Sequence, residues 1–298
     1  MSEFIKRQIL IDTDLGDDVD DAAALIMALN SPELDIIGIT TVYQDTLARA
    51  EMVSELCGMY GRPDIPVCPG FGLPLIERPD MTAKPVQYDI LSQKRPVPRE
   101  CDGAEFILQA VREHPDVTIV AMGAMTNLAA AFHRAPDVMK SVPILAMGGV
   151  FDSSLPEWNI KCDPEAARIV TDLSGHLTMF GLDVTKYCRI ENALLDEICL
   201  PENENLQYFM QGVKIFQKDM GYPVTLHDAL LIAYLLDPAV VELGQGDFTV
   251  ELSGSSTRGA MVSQMNPYEI EPACKKNFYY ARKIHAERFR EMVRERLR

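Results

Sequence analysis

Residues 11–25 read IDTDLGDDVDDAAAL, with six aspartates (12, 14, 17, 18, 20 and 21) inside ten positions. Like charges held this close repel. Two of them ~4 Å apart cost about 1 kcal/mol in water and roughly 4 kcal/mol at an effective dielectric of 20. An apolar run precedes the cluster and another follows it, so the segment reads as a strand, a turn at Gly16 and a helix. Asp12 and Asp14 are two apart on the strand and are expected on one face. Asp20 and Asp21 open the helix, whose positive end favours anions. Acidic capping accounts for one or two aspartates, not six. A bound cation accounts for the rest, and carboxylates without a neighbouring Cys or His suit a hard ion, Ca²⁺ or Mg²⁺. On the cluster alone, a capped turn and a metal site both remain open.

The remainder of the chain alternates strand and helix. Strands are expected at 7–14, 35–42, 65–68, 117–122, 144–149 and 177–184. Helices are expected at 20–30, 47–59, 103–113, 126–133 and 164–173. Residues 70–100 are Pro-rich and read as a long loop, as does FDSSLPEWN at 151–159. The stretch 190–236 reads as mostly helical, with later strands near 247–252 and 259–263 and a last helix at 286–297. This pattern predicts an α/β fold, a mostly parallel sheet flanked by helices, in one domain spanning 1–298. In such folds ligands bind beyond the carboxyl ends of the strands. The segments at those ends are 14–21, 42–45, 122–127, 147–159 and 183–185.

A net charge of −16 with no basic patch argues against a nucleic-acid polymer as partner. No segment offers the ~18 apolar residues of a membrane span, and MSEFIKRQILIDTD has no signal-peptide core. Seven cysteines (57, 68, 101, 162, 188, 199, 274), an odd number without a CxxC pair, argue against a disulfide framework and for a reducing, cytoplasmic setting.

Two metal chemistries fit the cluster. One is Mg²⁺-dependent phosphoryl hydrolysis, although DxDxT is missing and no Lys/Arg loop for phosphate is evident. The other is metal-assisted hydrolysis, in which an aspartate deprotonates a water. The motif DTDLGDDVDDA resembles a variant signature of the inosine–uridine-preferring nucleoside hydrolases. Further similar segments follow in order: GITTV (38–42), TIVAMGAMTNLA (118–129), MGG (147–149), EWN (157–159), DPEAA (163–167), GLDVT (181–185), LHDAL (226–230) and HAERF (285–289).

The resemblance implies a Rossmann-like nucleoside hydrolase fold, a nucleoside substrate for purine or pyrimidine salvage, and a homo-oligomer, dimer or tetramer. It also implies one Ca²⁺ held by Asp14, Asp21, the carbonyl of Thr126 and Asp228, with Asp18 able to substitute because two extra residues shift the register. Asp14 is implied as general base and His227 as the acid that protonates the leaving base. Ribose contacts are implied for Asp20, Asn127, Glu157, Asn159 and Asp45, with Trp158 standing where Phe is usual. Asp45 replaces a ribose-binding Asn and accepts hydrogen bonds without donating them. QKRPVPREC (93–101) stands where the family has an HG segment. Each position also has a plain structural reading. Thr225-Leu-His-Asp228 is a capping box, Thr126 an N-cap, His227 a core or surface histidine, and EWN a polar loop. A non-catalytic nucleoside- or ribose-binding protein on the same scaffold is the remaining alternative.

Overall fold

The computed structural model describes residues 6–298 apart from 93–94, 201, 222, 267 and 269–277, so Cys274 lies outside the described residues. Strands run β1 Arg7–Thr13, β2 Leu34–Thr41, β3 Val67–Pro69, β4 Thr118–Ala121, β5 Ile144–Met147, β6 Leu177–Phe180, β7 Val241–Gly246, β8 Phe248–Val250, β9 Met261–Ser263 and β10 Phe278–Ile284. Helices run α1 Asp20–Leu29, α2 Thr46–Met59, α3 Gly103–Glu113, α4 Thr126–Arg134, α5 Pro136–Met139, α6 Trp158–Cys162, α7 Pro164–Leu173, α8 Leu182–Thr185, α9 Asn192–Ile198, α10 Glu204–Met220, α11 Ala229–Leu236 and α12 Ala286–Arg296.

Eight strands form one sheet in the order β3-β2-β1-β4-β5-β6-β10-β7, parallel throughout except for the last pair. The central strands are apolar on both faces, as a sheet covered on both sides requires. Ile9, Leu10 and Ile11 of β1 are fully buried. Helices α1, α11 and α12 pack on one face, and α3, α4 and α7 on the other. Helix α11, ALLIAYLL, is buried along almost its whole length and is therefore apolar all round. Asp102 and Asp163 cap α3 and α7 through backbone N–H bonds.

Three sequence expectations need correction. β7 and β10 were not anticipated, and β10 joins the main sheet beside β6 with β7 antiparallel at its edge. The strands expected near 247–252 and 259–263 form as β8 and β9, which pair as a separate hairpin. The strand expected to run on to 184 stops at Phe180, where α8 begins. One cysteine pair, Cys68–Cys101, is bridged, while Cys57, Cys162, Cys188 and Cys199 are free and buried. The bridge joins the end of β3 to the segment before α3, two places that only the folded sheet brings together.

The strand order places a switch between β1 and β4. Chain progression leaves β1 toward β2 and β3 on one side, and later fills β4, β5 and β6 on the other. Loops leaving the carboxyl ends of β1 and β4 therefore diverge and open a crevice.

Candidate active site

The aspartate cluster sits in that crevice. A cavity of about 190 Å³ is lined by Asp14, Asp17, Asp18, Asp20 and Asp21 from the β1–α1 turn, Glu157, Trp158 and Asn159 from the start of α6, and His227 and Asp228 before α11. Met122, Met147 and Leu182 complete it from the ends of β4 and β5 and the start of α8. Nine residues anticipated from the sequence thus converge: Asp14, Asp18, Asp20, Asp21, Glu157, Trp158, Asn159, His227 and Asp228.

Three others lie elsewhere. Asp45 caps α2, its Oδ1 accepting from the Ala48 N–H at 3.0 Å. Thr126 is buried at the start of α4 and donates its hydroxyl to Asp163 at 2.7 Å. The residue of that segment that lines the cavity is the strand-end Met122. Asn127 lies beneath the site, donating to Asp12 Oδ1 at 2.7 Å and to the Thr41 carbonyl at 3.1 Å, and accepting from Phe71 N–H.

Asp12 and Asp14 do not share a face as expected, because β1 ends at Thr13 and the chain turns there. Asp12 points under the sheet end to Thr40 and Asn127. Thr13 donates its hydroxyl to Asp21. Asp14 reaches the cavity and packs against the Gly123 backbone, where any Cβ would stand 2.7 Å from its Oδ1.

Arg49 is the contributor that sequence reasoning missed. It is fully buried in α2. Its guanidinium donates to the carbonyls of Asp14, Leu15 and Tyr43 and to Asp17 Oδ2 at 2.8 Å. One planar fork thereby holds the acidic turn against the end of β2. Its only sequence signal is a lone cation among the small and apolar residues of TLARAEMV. Tyr43 and Gln44 beside it hold left-handed backbone (φ 67° and 58°), unusual for non-glycine residues. Bonds from their N–H groups to the carbonyls of Phe71 and Gly72 lock that geometry.

The loop 70–100 braces the turn from outside. Gln87 donates its backbone N–H to the Gly16 carbonyl and its side chain to the Asp18 carbonyl, and Val86 N–H bonds Asp17. Glu157 caps α6, accepting from the N–H groups of Asn159, Ile160 and Gly149. Asn159 in turn donates to the carbonyls of Met122 and Met147 at 2.6 and 3.3 Å.

Electrostatically the cavity is only partly compensated, with Arg49 paired to Asp17 at 2.8 Å. Burial pushes Asp14 up to about 7, against the pull of Arg49, and Asp20 up to about 6. Asp18, Asp21 and Asp228 are raised well above the carboxylate range by burial and by their neighbours' charge. Among the described residues, Asp20 Oδ1 and Asp228 Oδ1 are buried with no hydrogen-bond partner. Ligand atoms of Asp18, Asp20 and Asp21 fall within 4.8 Å of one another. Orphaned carboxylate oxygens around a small cavity are what a hard cation's donor set requires, so the residues fit a metal. His227 is held below its usual range by burial, opposed by Asp18, and its Nδ1 meets Thr185 Oγ1 at 2.8 Å.

The family model for inosine-uridine preferring nucleoside hydrolase matches residues 9–291. The chain belongs to that family. A probable uridine nucleosidase from Arabidopsis thaliana is 31% identical, with 90% of this chain and 89% of that protein covered. An inosine-uridine preferring nucleoside hydrolase from Crithidia fasciculata is 29% identical, covering 88% and 89%. Among solved structures, a plant nucleoside hydrolase superposes with a TM-score of 0.85 at 27% identity over 98% of both chains. Membership in the nucleoside hydrolase family makes the protein an enzyme of the N-ribosyl hydrolase class. No helix among the described residues is long and apolar enough to cross a membrane.

Proposed function

We propose that the protein hydrolyses the N-glycosidic bond of a ribonucleoside with Ca²⁺ in the acidic cavity, releasing ribose and a free base. The observation that carries this reading is the pair of partnerless buried oxygens, Asp20 Oδ1 and Asp228 Oδ1, in a carboxylate-lined cavity at the sheet's switch point. Asp14, Asp21 and Asp228 would hold the ion, with Asp18 in reserve. The main-chain donor expected of Thr126 is better assigned to the Met122 carbonyl, since Met122 lines the cavity. All these donors are oxygen, which favours Ca²⁺ over zinc. When bound, the ion supplies Lewis acidity to the oxygens it contacts.

The chain's own groups do the rest. Asp14 takes a proton from the attacking water as its oxygen bonds to C1′. Asp20, Glu157 and Asn159 orient the ribose hydroxyls. The surrounding carboxylates stabilise positive charge on the sugar as the C1′–N bond breaks. His227 gives a proton through Nε2 to the departing base, and Asp18 beside it favours the charged ring. Only one catalytic base is needed, unlike the paired carboxylates of O-glycosidases.

A panel of purine and pyrimidine nucleosides, assayed for reducing sugar with and without Ca²⁺, tests the reading. Phosphate release from phosphoesters in place of sugar release would favour the Mg²⁺ phosphohydrolase. Saturable binding without turnover would favour a binding protein. Elemental analysis fixes the ion, and stoichiometric zinc would overturn the Ca²⁺ assignment. The homo-oligomer that accompanies this reading is checked by light scattering.

A further inference from the structure

A second, larger cavity of about 580 Å³ opens beside the acidic one and shares Trp158 with it. Its charge is of the opposite sign. Arg78, Lys161 and Arg258 line it against a single carboxylate, Glu77. The whole chain carries 28 Lys and Arg against 44 Asp and Glu, so this wall reverses the prevailing field. Arg258 is already compensated, its NH2 lying 2.8 Å from Glu165 and 3.2 Å from Glu77.

Among the described residues the other two cations pair with no carboxylate. Arg78 NH1 donates to the carbonyls of Pro74, Ile76 and Glu77 at 3.2, 2.9 and 2.8 Å, which fixes the guanidinium without cancelling its charge. Lys161 Nζ stands 5.8 Å from the centre of the Trp158 ring and meets no carboxylate among the described residues. Ser255 and Ser256 line the same space. Their turn is seated on the Lys161 segment, because a Cβ on Gly259 would meet Pro156 Cβ at 3.2 Å and Lys161 Cα at 3.6 Å. Both side chains are solvent-exposed, so a neutral base would leave their charges paired with water alone. An anion answers them, and a positive wall offsets the repulsion that a body of net charge −16 exerts on an anionic substrate.

We infer that this outer cavity is an anion subsite, held by Arg78 and Lys161, which extends the substrate class to ribosyl compounds carrying a negatively charged substituent. The inference rests on the reading that ribose occupies the acidic cavity. Phosphate on C5′ and carboxylate on the base are the two sources of such charge.

Comparing kcat/KM for uridine, uridine 5′-monophosphate and orotidine separates the two sources. At least one anionic substrate should exceed uridine tenfold or more, equivalent to about 1.4 kcal/mol. The double variant Arg78→Met, Lys161→Met should abolish that advantage and leave uridine within twofold, since neither residue lines the acidic cavity. Raising salt should erode the advantage too. A preference for uridine over both anions, or equal losses on all three in the double variant, would overturn the subsite.

Binding gives an independent readout, because Trp158 is the chain's single tryptophan and stands between the cavities. Its fluorescence should report ribose 5-phosphate at least tenfold tighter than ribose, and the double variant should remove the difference. If that holds while no compound is hydrolysed, the anion subsite stands and the hydrolytic reading fails. If uridine is hydrolysed while both sugars bind alike, the hydrolytic reading stands and the subsite fails.

Discussion

Asp14 carries two proposed duties, metal ligand and proton acceptor, and one substitution separates them. Asn keeps a carbonyl oxygen for coordination but cannot accept the water's proton. Asp14→Asn should lower kcat by about 10²–10⁴-fold while elemental analysis still finds the ion. Near-normal kcat in metal-loaded Asp14→Asn would move the base elsewhere, with Asp18 first in line because it shares the cavity wall. His227 is tested by leaving group. A purine departs poorly without a proton, so His227→Ala should cost about 10²–10⁴-fold on inosine and little on a p-nitrophenyl riboside, whose leaving group is already acidic. Equal losses on both would assign His227 to holding Thr185 and the approach to α11. Residue by residue, the positions legible in the sequence were those whose chemistry is local. Six aspartates in ten positions announce a site because nothing else in the turn can neutralise them. Asn127 and Arg49 were illegible as supports because their partners, Asp12 and Thr41 for one and the Asp14–Asp17 turn for the other, are far away along the chain.

At the level of elements, the β1–α1 turn depends on one glycine. Gly16 has φ +126°, and a Cβ there would stand 2.6 Å from Pro85 Cβ and 2.9 Å from Met52 Sδ. Both strain and collision follow from any side chain, so Gly16→Ala should destabilise by about 1–3 kcal/mol. The urea midpoint would fall with the m-value unchanged, and kcat/KM would fall with it because the turn carries the aspartates. A midpoint equal to wild type would mean that loop 70–100 yields freely. Strands β1 to β6 were legible because parallel strands buried on both faces read as continuous apolar runs. β7 (VELGQG) and β10 (FYYARKI) were not. They lie toward the sheet's edge with one half-solvated face, and they mix glycine, charge and aromatics. Helix α6 hid inside a segment read as loop because it has five residues and owes its start to Glu157 accepting backbone N–H bonds.

For the molecule as a whole, the acidic cavity links stability to pH and to metal. Burial raises the folded-state pKa of Asp14 to about 7 and of Asp20 to about 6, above the ~3.9 of an unfolded aspartate. Below pH ~4 both states are protonated and the groups cost nothing. Between there and pH 7 the unfolded chain ionises first, so the metal-free protein loses stability as pH rises through that window. Thermal melts in chelator should therefore show Tm falling from pH 5 to 7.5, and Ca²⁺ should restore it most at the upper end, where the carboxylates are free to bind. A chelated Tm that rises across the window would mean that Arg49 and the hydrogen bonds already balance the cluster. The bridge between Cys68 and Cys101 spans 33 positions and encloses the whole loop that braces the Gly16 turn and bears Arg78. Topologically, the segment that carries Glu77, Arg78 and Pro79 into the outer cavity is a closed ring of chain. Trypsin cutting after the exposed Arg99, which is followed by Glu100 rather than proline, would open the ring without releasing an end. The cut protein should run as a single 33.3 kDa species until a thiol is added, and only then part into two fragments.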